Sequence, residues 1–227
     1  EIHSWLGGCD VLALQELDGP LRRVLSRAPG GGELAESARH VDGRGVEVDC
    51  TVGIFLRGGV GLQVLGEARA ELRLPLRGGR GYAVRDHVAL LVQRTGCEPS
   101  ALPGEEYGWG GRPLALCSVH LHPPASAGSP ESSSAEYIAY LEPLKTMLLG
   151  LLAASPVPEA GVVLLGDFNV AAADFQALTA GDDFWQSFGA VCPGAGPRGE
   201  PTAHRSNPCE TGDYALVAGR AWRCEAQ

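Results

Sequence analysis

Six short apolar runs constrain this chain more than any other feature. They are Val11 to Leu14, Val52 to Leu56, Val88 to Val92, Leu114 to Leu121, Val162 to Leu165 and Tyr214 to Val217. Each has the length of a strand, about four to eight residues, and is bounded by Gly, Pro or charged residues. Runs without polar alternation suit strands covered on both faces, so the chain must supply layers above and below them. Gly61 to Leu74 alternates less cleanly and reads as a hairpin partner.

Helical patterns lie between the runs. Leu17 to Ala28 places Leu21, Val24, Leu25 and Ala28 on one stripe. Asp18 is placed to cap that helix and Pro20 to sit in its first turn. Glu136 to Ala153 repeats Tyr137, Leu141, Leu144, Leu148 and Leu152 at helical spacing. Pro143 there predicts a kink or a first turn. Ala171 to Leu178 and Asp182 to Phe188 are short helix candidates. Pro29 to Gly45, Cys97 to Arg112, Pro123 to Ser134 and Cys192 to Gly212 read as loops. None is a convincing linker, so residues 1–227 are expected to form one α/β domain of two packed sheets flanked by helices.

The chain has 227 residues and a formal charge of −9. Such a balance argues against holding nucleic acid by bulk positive charge. It leaves room for a locally basic site. The seven cysteines are odd in number, widely spaced and without a C-x-x-C pair. That pattern disfavours structural zinc and a disulfide framework. Buried thiols in a reducing, intracellular and cytoplasmic setting are expected. No apolar run reaches membrane-spanning length. The first residue is Glu1, so a fragment, a processed form or an excised domain is expected.

Four of the apolar runs meet chemistry-bearing residues. Val162 to Leu165 leads into Gly166-Asp167-Phe168-Asn169. If the chain stays extended there, Asp167 and Asn169 share one side. The carboxylate can then order a water and the amide can donate to a developing anion. The alternative is an Asx turn bonding only its own backbone. Val11 to Leu14 leads into Gln15-Glu16. Glu16 is then free to bind a hard cation, or simply starts a helix. Leu116 to Pro123 carries His120 and His122 in alternation, suited to donating to a phosphate or to filling a core. Asp213 precedes Tyr214 to Val217, an ordinary strand start when taken alone. Together they place Glu, His, Asp-x-Asn and Asp at strand ends that converge in a sheet sandwich.

Leu12-Ala13-Leu14-Gln15-Glu16, Ser118-Val119-His120-Leu121, Gly166-Asp167-Phe168-Asn169 and Gly212-Asp213-Tyr214-Ala215-Leu216-Val217 resemble the ordered motifs of the endonuclease/exonuclease/phosphatase superfamily. The resemblance spans Asp10 to Val217. It implies a four-layered α/β/β/α sandwich of the DNase I-like type. It also implies Mg²⁺, with Mn²⁺ as a second possibility, held by Glu16. By the same resemblance His120 contacts the scissile phosphate and Asp167 activates the water. Asn169 aligns Asp167 and stabilises the transition state, and Asp213 pairs with a histidine near the C-terminus.

The family's first-strand asparagine and terminal Ser-Asp-His motif have no match here. His204 lies in a Pro-rich stretch and is a poor substitute. The chain is therefore expected to be clipped at both ends, and to lack the first and last strands. The stretch around Phe55 and Arg57, with Leu14 to Asp18 and His120 to Pro123, is similar to the deadenylase, nocturnin and 2′,5′-phosphodiesterase group. That likeness implies single-stranded RNA or oligoadenylate as substrate. Two alternatives remain open. One is a catalytically degenerate binding or regulatory module of the same fold. The other is a phosphomonoesterase on inositol phosphates or nucleotides, which needs a basic pocket for which Arg57, Arg80, Arg85 and Arg112 are candidates.

Overall fold

The computed structural model describes residues 9–37, 51–75, 82–96, 111–121, 130–157, 160–191 and 213–218. Strand β1 (Val11–Leu14) leads into helix α1 (Gly19–Leu25). Strands β2 (Gly32–Glu36), β3 (Gly53–Arg57), β4 (Leu62–Pro75), β5 (Tyr82–Arg94) and β6 (Leu114–His120) follow. Next come helix α2 (Pro130–Ala153), strand β7 (Gly161–Asp167) and helices α3 (Ala172–Leu178) and α4 (Asp183–Gln186). Strands β8 (Phe188–Val191) and β9 (Asp213–Ala218) close the order.

Two sheets result, with strand orders β1-β3-β2 and β4-β5-β6-β7-β9-β8. Among the described residues β6 and β7 form the one parallel pair, and the remaining pairs are antiparallel. The period-two alternation of strands sorts the side chains between layers. Val88, Leu90 and Val92 of β5, with Leu114 and Leu116 of β6, meet Ala35, Ile54 and Leu56 of the small sheet. Ala89, Leu91, Ala115, Cys117 and Val119 point the other way, onto Tyr137, Leu141, Leu144 and Leu148 of α2. On the far side Leu17, Leu25 and Phe55 join α1 to the small sheet. The order of layers is α/β/β/α, as the motifs implied. Among the described residues no helix is long and apolar enough to cross a membrane.

Several boundaries differ from those expected. Residues within the supposed loop Pro29 to Gly45 form β2, because Ala35 is buried and Leu34 packs beside Phe55. Gly32 is required there, since a Cβ would overlap the Phe55 ring. The helix expected over Asp182 to Phe188 is the single turn α4, and Phe188 opens β8 instead. Helix α2 begins at Pro130 and carries Pro143 in its interior rather than in its first turn. The buried Leu141 and Leu144 flank that proline, so packing overrides the local cost. Asp18 does cap α1, accepting the Leu21 N–H at 2.7 Å, with Pro20 in the first turn.

Two contacts hold the α2 side together. Phe175 meets Tyr137, Phe168 and Trp185 edge-on, with centroids 6.4, 5.6 and 5.7 Å apart. Replacing it, Phe175→Ala, should destabilise the fold by about 3–5 kcal/mol in urea unfolding. Lys145 of α2 donates to Asp182 Oδ2 at 2.6 Å, while Asp182 Oδ1 caps α4 through the Phe184 and Trp185 N–H groups. The lysine hydrogen bond holds the Asp182 carboxyl below its ordinary value. A depressed folded-state value means stability that is present above the ordinary carboxylate range and lost as pH falls through it. Asp182→Asn should therefore flatten the acid limb of a stability–pH curve, and also the far alkaline limb, because the hydrogen bond to Asp182 holds the Lys145 ammonium above its ordinary value.

Candidate active site

The parallel register of β6 and β7 aligns His120 with Asp167, and the antiparallel register of β7 and β9 aligns Asp167 with Asp213. Three of the candidate residues thus occupy one row across three neighbouring strands. His120 Nε2 lies 4.0 Å from Asp167 Oδ2. Strand alternation puts His120 on the same face as Ser118, toward the small sheet. His120 is buried, whereas the Asp167 side chain keeps 28% exposure, enough to meet solvent or substrate.

The chain does not stay extended after Asp167. Asn169 turns into the left-handed region, with φ of 54°. Asp167 Oδ1 accepts the Asn169 N–H at 2.8 Å, so the Asx turn is present. It does not end the matter, because Asn169 Nδ2 reaches back to β6 and donates to the Leu121 carbonyl at 2.6 Å. The Leu121 N–H donates to the Asp167 carbonyl at 2.8 Å, and the Tyr137 hydroxyl donates to the Phe168 carbonyl at 2.9 Å. Buried Phe168 points into the α2 layer between them. The turn is pinned from three sides, and Asp167 is left facing out of it.

Gly166 explains the start of the motif. Its φ is 144°, and a Cβ there would overlap the Val119 carbonyl and stand 2.8 Å from Gln15 Nε2. Glycine lets β6, β7 and the Gln15 side chain share one small space.

Glu16 follows β1 of the small sheet, one residue after Gln15. Its φ is 51°. Glu16 and Asn169 are the two non-glycine residues with positive φ among those described. Both neighbours of Glu16 are anchored. Gln15 Nε2 donates to Ser118 Oγ at 3.2 Å, and the Leu17 N–H donates to the Thr51 carbonyl at 2.9 Å. Buried Leu17 packs with Leu25 and Phe55, while Glu16 itself is exposed. The Glu16 side chain is therefore open to solvent while its neighbours are held. Left-handed backbone at a non-glycine residue is strained and gathers at functional sites.

One exposed carboxylate is an oxygen donor of the kind that Mg²⁺ uses with waters and a substrate phosphate. Among the described residues no group of three His, Cys, Asp or Glu side chains could hold a metal alone. Glu16 thus fits a hydrated hard cation completed by substrate, and Mn²⁺ suits the same oxygen donor.

Not every candidate arginine converges here. Arg57 pairs with Asp10 at 2.6 Å, at the end of β3 away from Gly53 and Leu14. Arg112 precedes β6, a whole strand from His120. Neither contributes to a basic pocket at the site. Arg85 lies on β5 at the site's end, whereas Arg80, His122 and His204 fall outside the described residues.

Asp86 escaped the sequence reading. Two residues further along the register that pairs Val88 with Ser118, it lies in line with His120, and it is buried. Its signal was the alternation Asp86, Val88, Leu90, Val92, masked because Arg85-Asp86-His87 looks like the polar edge of a run. Cys117 lies behind the site on the opposite face, where burial pushes its thiol up and leaves it inert.

The sequence profile described as Endonuclease/Exonuclease/phosphatase family matches residues 1–227. The chain belongs to this family. No curated protein matches its sequence. Among solved structures it is similar to the human Nocturnin catalytic domain with bound sulfate anion, at 14% identity and a TM-score of 0.57, covering 92% of this chain and 69% of that one. It is similar to an endonuclease/exonuclease/phosphatase from Bacteroides vulgatus, at 14% identity and 0.56, covering 96% and 77%. It is also similar to D. rerio TDP2 complexed with single strand DNA product, at 16% identity and 0.53, covering 96% and 75%. At these identities the likenesses show the shared fold.

The two left-handed residues give opposite expectations for stability. Glu16→Gly suits φ of 51° and should leave the thermal midpoint equal or higher. Asn169→Ala loses the Leu121 bond and a residue tolerant of that backbone, and should cost about 1–2 kcal/mol in urea unfolding.

Proposed function

We propose that this protein is a metal-dependent phosphodiesterase, a hydrolase that cleaves a phosphodiester in single-stranded RNA or oligoadenylate. The row His120, Asp167 and Asp213, with Glu16 following the Gln15 that ties the small sheet to β6 and β7, is the observation that carries the reading. A cation bound at Glu16 would neutralise charge on the non-bridging and leaving oxygens of the phosphate.

The remaining work falls to side chains. Asp167, held by its turn and still open to solvent, orients the water and accepts its proton. His120, beside the Asp167 carboxylate, donates to a phosphate oxygen. Asn169 stands two residues from Asp167 and adds a second donor as charge builds on the phosphorane-like state. Its second amide hydrogen remains for that purpose while the first bonds Leu121. Asp213, in register with Asp167, would orient the terminal histidine that the family motif implies and that has no match in this sequence. The RNA preference follows the deadenylase-like motifs quoted above. The free Cys9 and the inert Cys117 thiol suit the reducing cytoplasmic setting.

The test is hydrolysis of a 3′-hydroxyl oligoadenylate by the protein, with Mg²⁺ and with chelator, beside a single-stranded DNA of equal length. Cleavage of the RNA should disappear with chelator. Asp167→Asn should lower kcat by about 10²–10⁴-fold, the share of a positioned general base. Equal activity with chelator, or in the variant, refutes the reading. Faster cleavage of the DNA would keep the chemistry and replace the substrate.

A further inference from the structure

Glu16 follows a strand of the small sheet, whereas His120 and Asp167 belong to the large one. No ladder of backbone hydrogen bonds sets the distance between them. That distance depends on how the two sheets are tied at this end of the sandwich.

The tie is specific. Gln15 Nε2 donates to Ser118 Oγ at 3.2 Å, and Ser118 Oγ donates to the Leu14 carbonyl at 3.0 Å. The proton count closes, because the amide nitrogen donates, the hydroxyl accepts once and donates once, and the carbonyl accepts. The ring of contacts runs from β1 to β6 and back to β1. Ser118 is fully buried and stands two residues before His120 on the same face. The Gln15 amide also lies against Gly166, the residue before Asp167, in a space that a Cβ would fill. One side chain therefore touches the strands that carry both His120 and Asp167, and its residue is the chain neighbour of Glu16.

We infer that Gln15 is a positioning residue whose carboxamide, seated between Ser118 and Gly166, fixes the reach from Glu16 to His120 and Asp167. The inference rests on the phosphodiesterase reading above. Gln15 acts through its neighbours and touches no substrate. Its hook also holds one side of the left-handed turn at Glu16, and Leu17 holds the other. Releasing the hook lets Glu16 leave φ of 51° and moves its carboxylate away from the row on the large sheet.

The test is Gln15→Met, which keeps length and bulk but cannot donate. Mn²⁺ binding is read by electron paramagnetic resonance in the presence of adenosine monophosphate, alongside kcat, KM and the thermal midpoint. The expected result is a Mn²⁺ dissociation constant raised about 10-fold or more and a kcat lowered by a similar factor, the usual scale for groups that orient a metal ligand. KM should change little. Ser118→Ala should move both readouts the same way. Combining the two should add little to Gln15→Met alone, because both break one tie.

A folded Gln15→Met protein with wild-type Mn²⁺ affinity and kcat overturns the inference while leaving the phosphodiesterase reading intact. If Gln15→Met does not fold, Ser118→Ala decides in the same terms. A wild-type protein that neither binds Mn²⁺ nor cleaves oligoadenylate overturns both.

Discussion

Strands β6 and β7 run parallel, and their paired register ends on His120 beside Asp167. Parallel neighbours bring like ends together, so residues that close two apolar runs arrive at one edge. Strand β9 then adds Asp213 from the antiparallel side at the same level. A shift of one residue between β6 and β7 would turn His120 or Asp167 to the α2 face. The buried alternation fixes the register. Ala115, Cys117 and Val119 must meet α2, while Leu114 and Leu116 must meet the small sheet. The core chemistry of the two layers thus dictates where the polar row lies.

The small sheet supplies the other wall, and its contribution is conformational as much as chemical. Glu16 and Asn169 both adopt left-handed backbone, one after a strand of the small sheet and one after a strand of the large sheet. Asparagine tolerates that region and glutamate does so poorly. Such strain is of order 1–3 kcal/mol and persists only where surroundings over-determine it. Gln15 and Leu17 do this for Glu16, and the Leu121 and Phe168 contacts do it for Asn169. Stability given up at these turns holds the candidate groups in place.

The sandwich was readable because its strands are nearly all apolar. The run Val11 to Leu14 matches β1 at both ends, and the short strands of the core needed no alternation to be seen. Strands β2 and β8 were hidden because each is short and lies among glycines or after a helical turn. Their assignment depends on Phe55 and on pairing with β9, partners distant in sequence. At the site, the types and order of Glu16, His120, Asp167, Asn169 and Asp213 could be read. Their geometry could not. The sequence leaves open whether Asp-x-Asn stays extended or turns, since the pull of Leu121 on Asn169 is a tertiary contact. Gln15, Ser118 and Tyr137 look like ordinary strand and helix residues until the sheets are packed.

The acidic balance of −9 belongs to the whole chain, whereas His120, Asp167 and Asp213 are aligned by strand register and Glu16 depends on the tie between the sheets. The central claim is that the two sheets face one phosphate-binding place between Glu16 and the row on the large sheet. A crystal of the protein soaked with Mn²⁺ and adenosine monophosphate tests it most directly. The account predicts an anomalous peak at coordination distance from Glu16, with the phosphate against His120 and Asn169. A well-occupied phosphate and metal elsewhere on the protein, with this edge carrying only water at saturating concentrations, would contradict it.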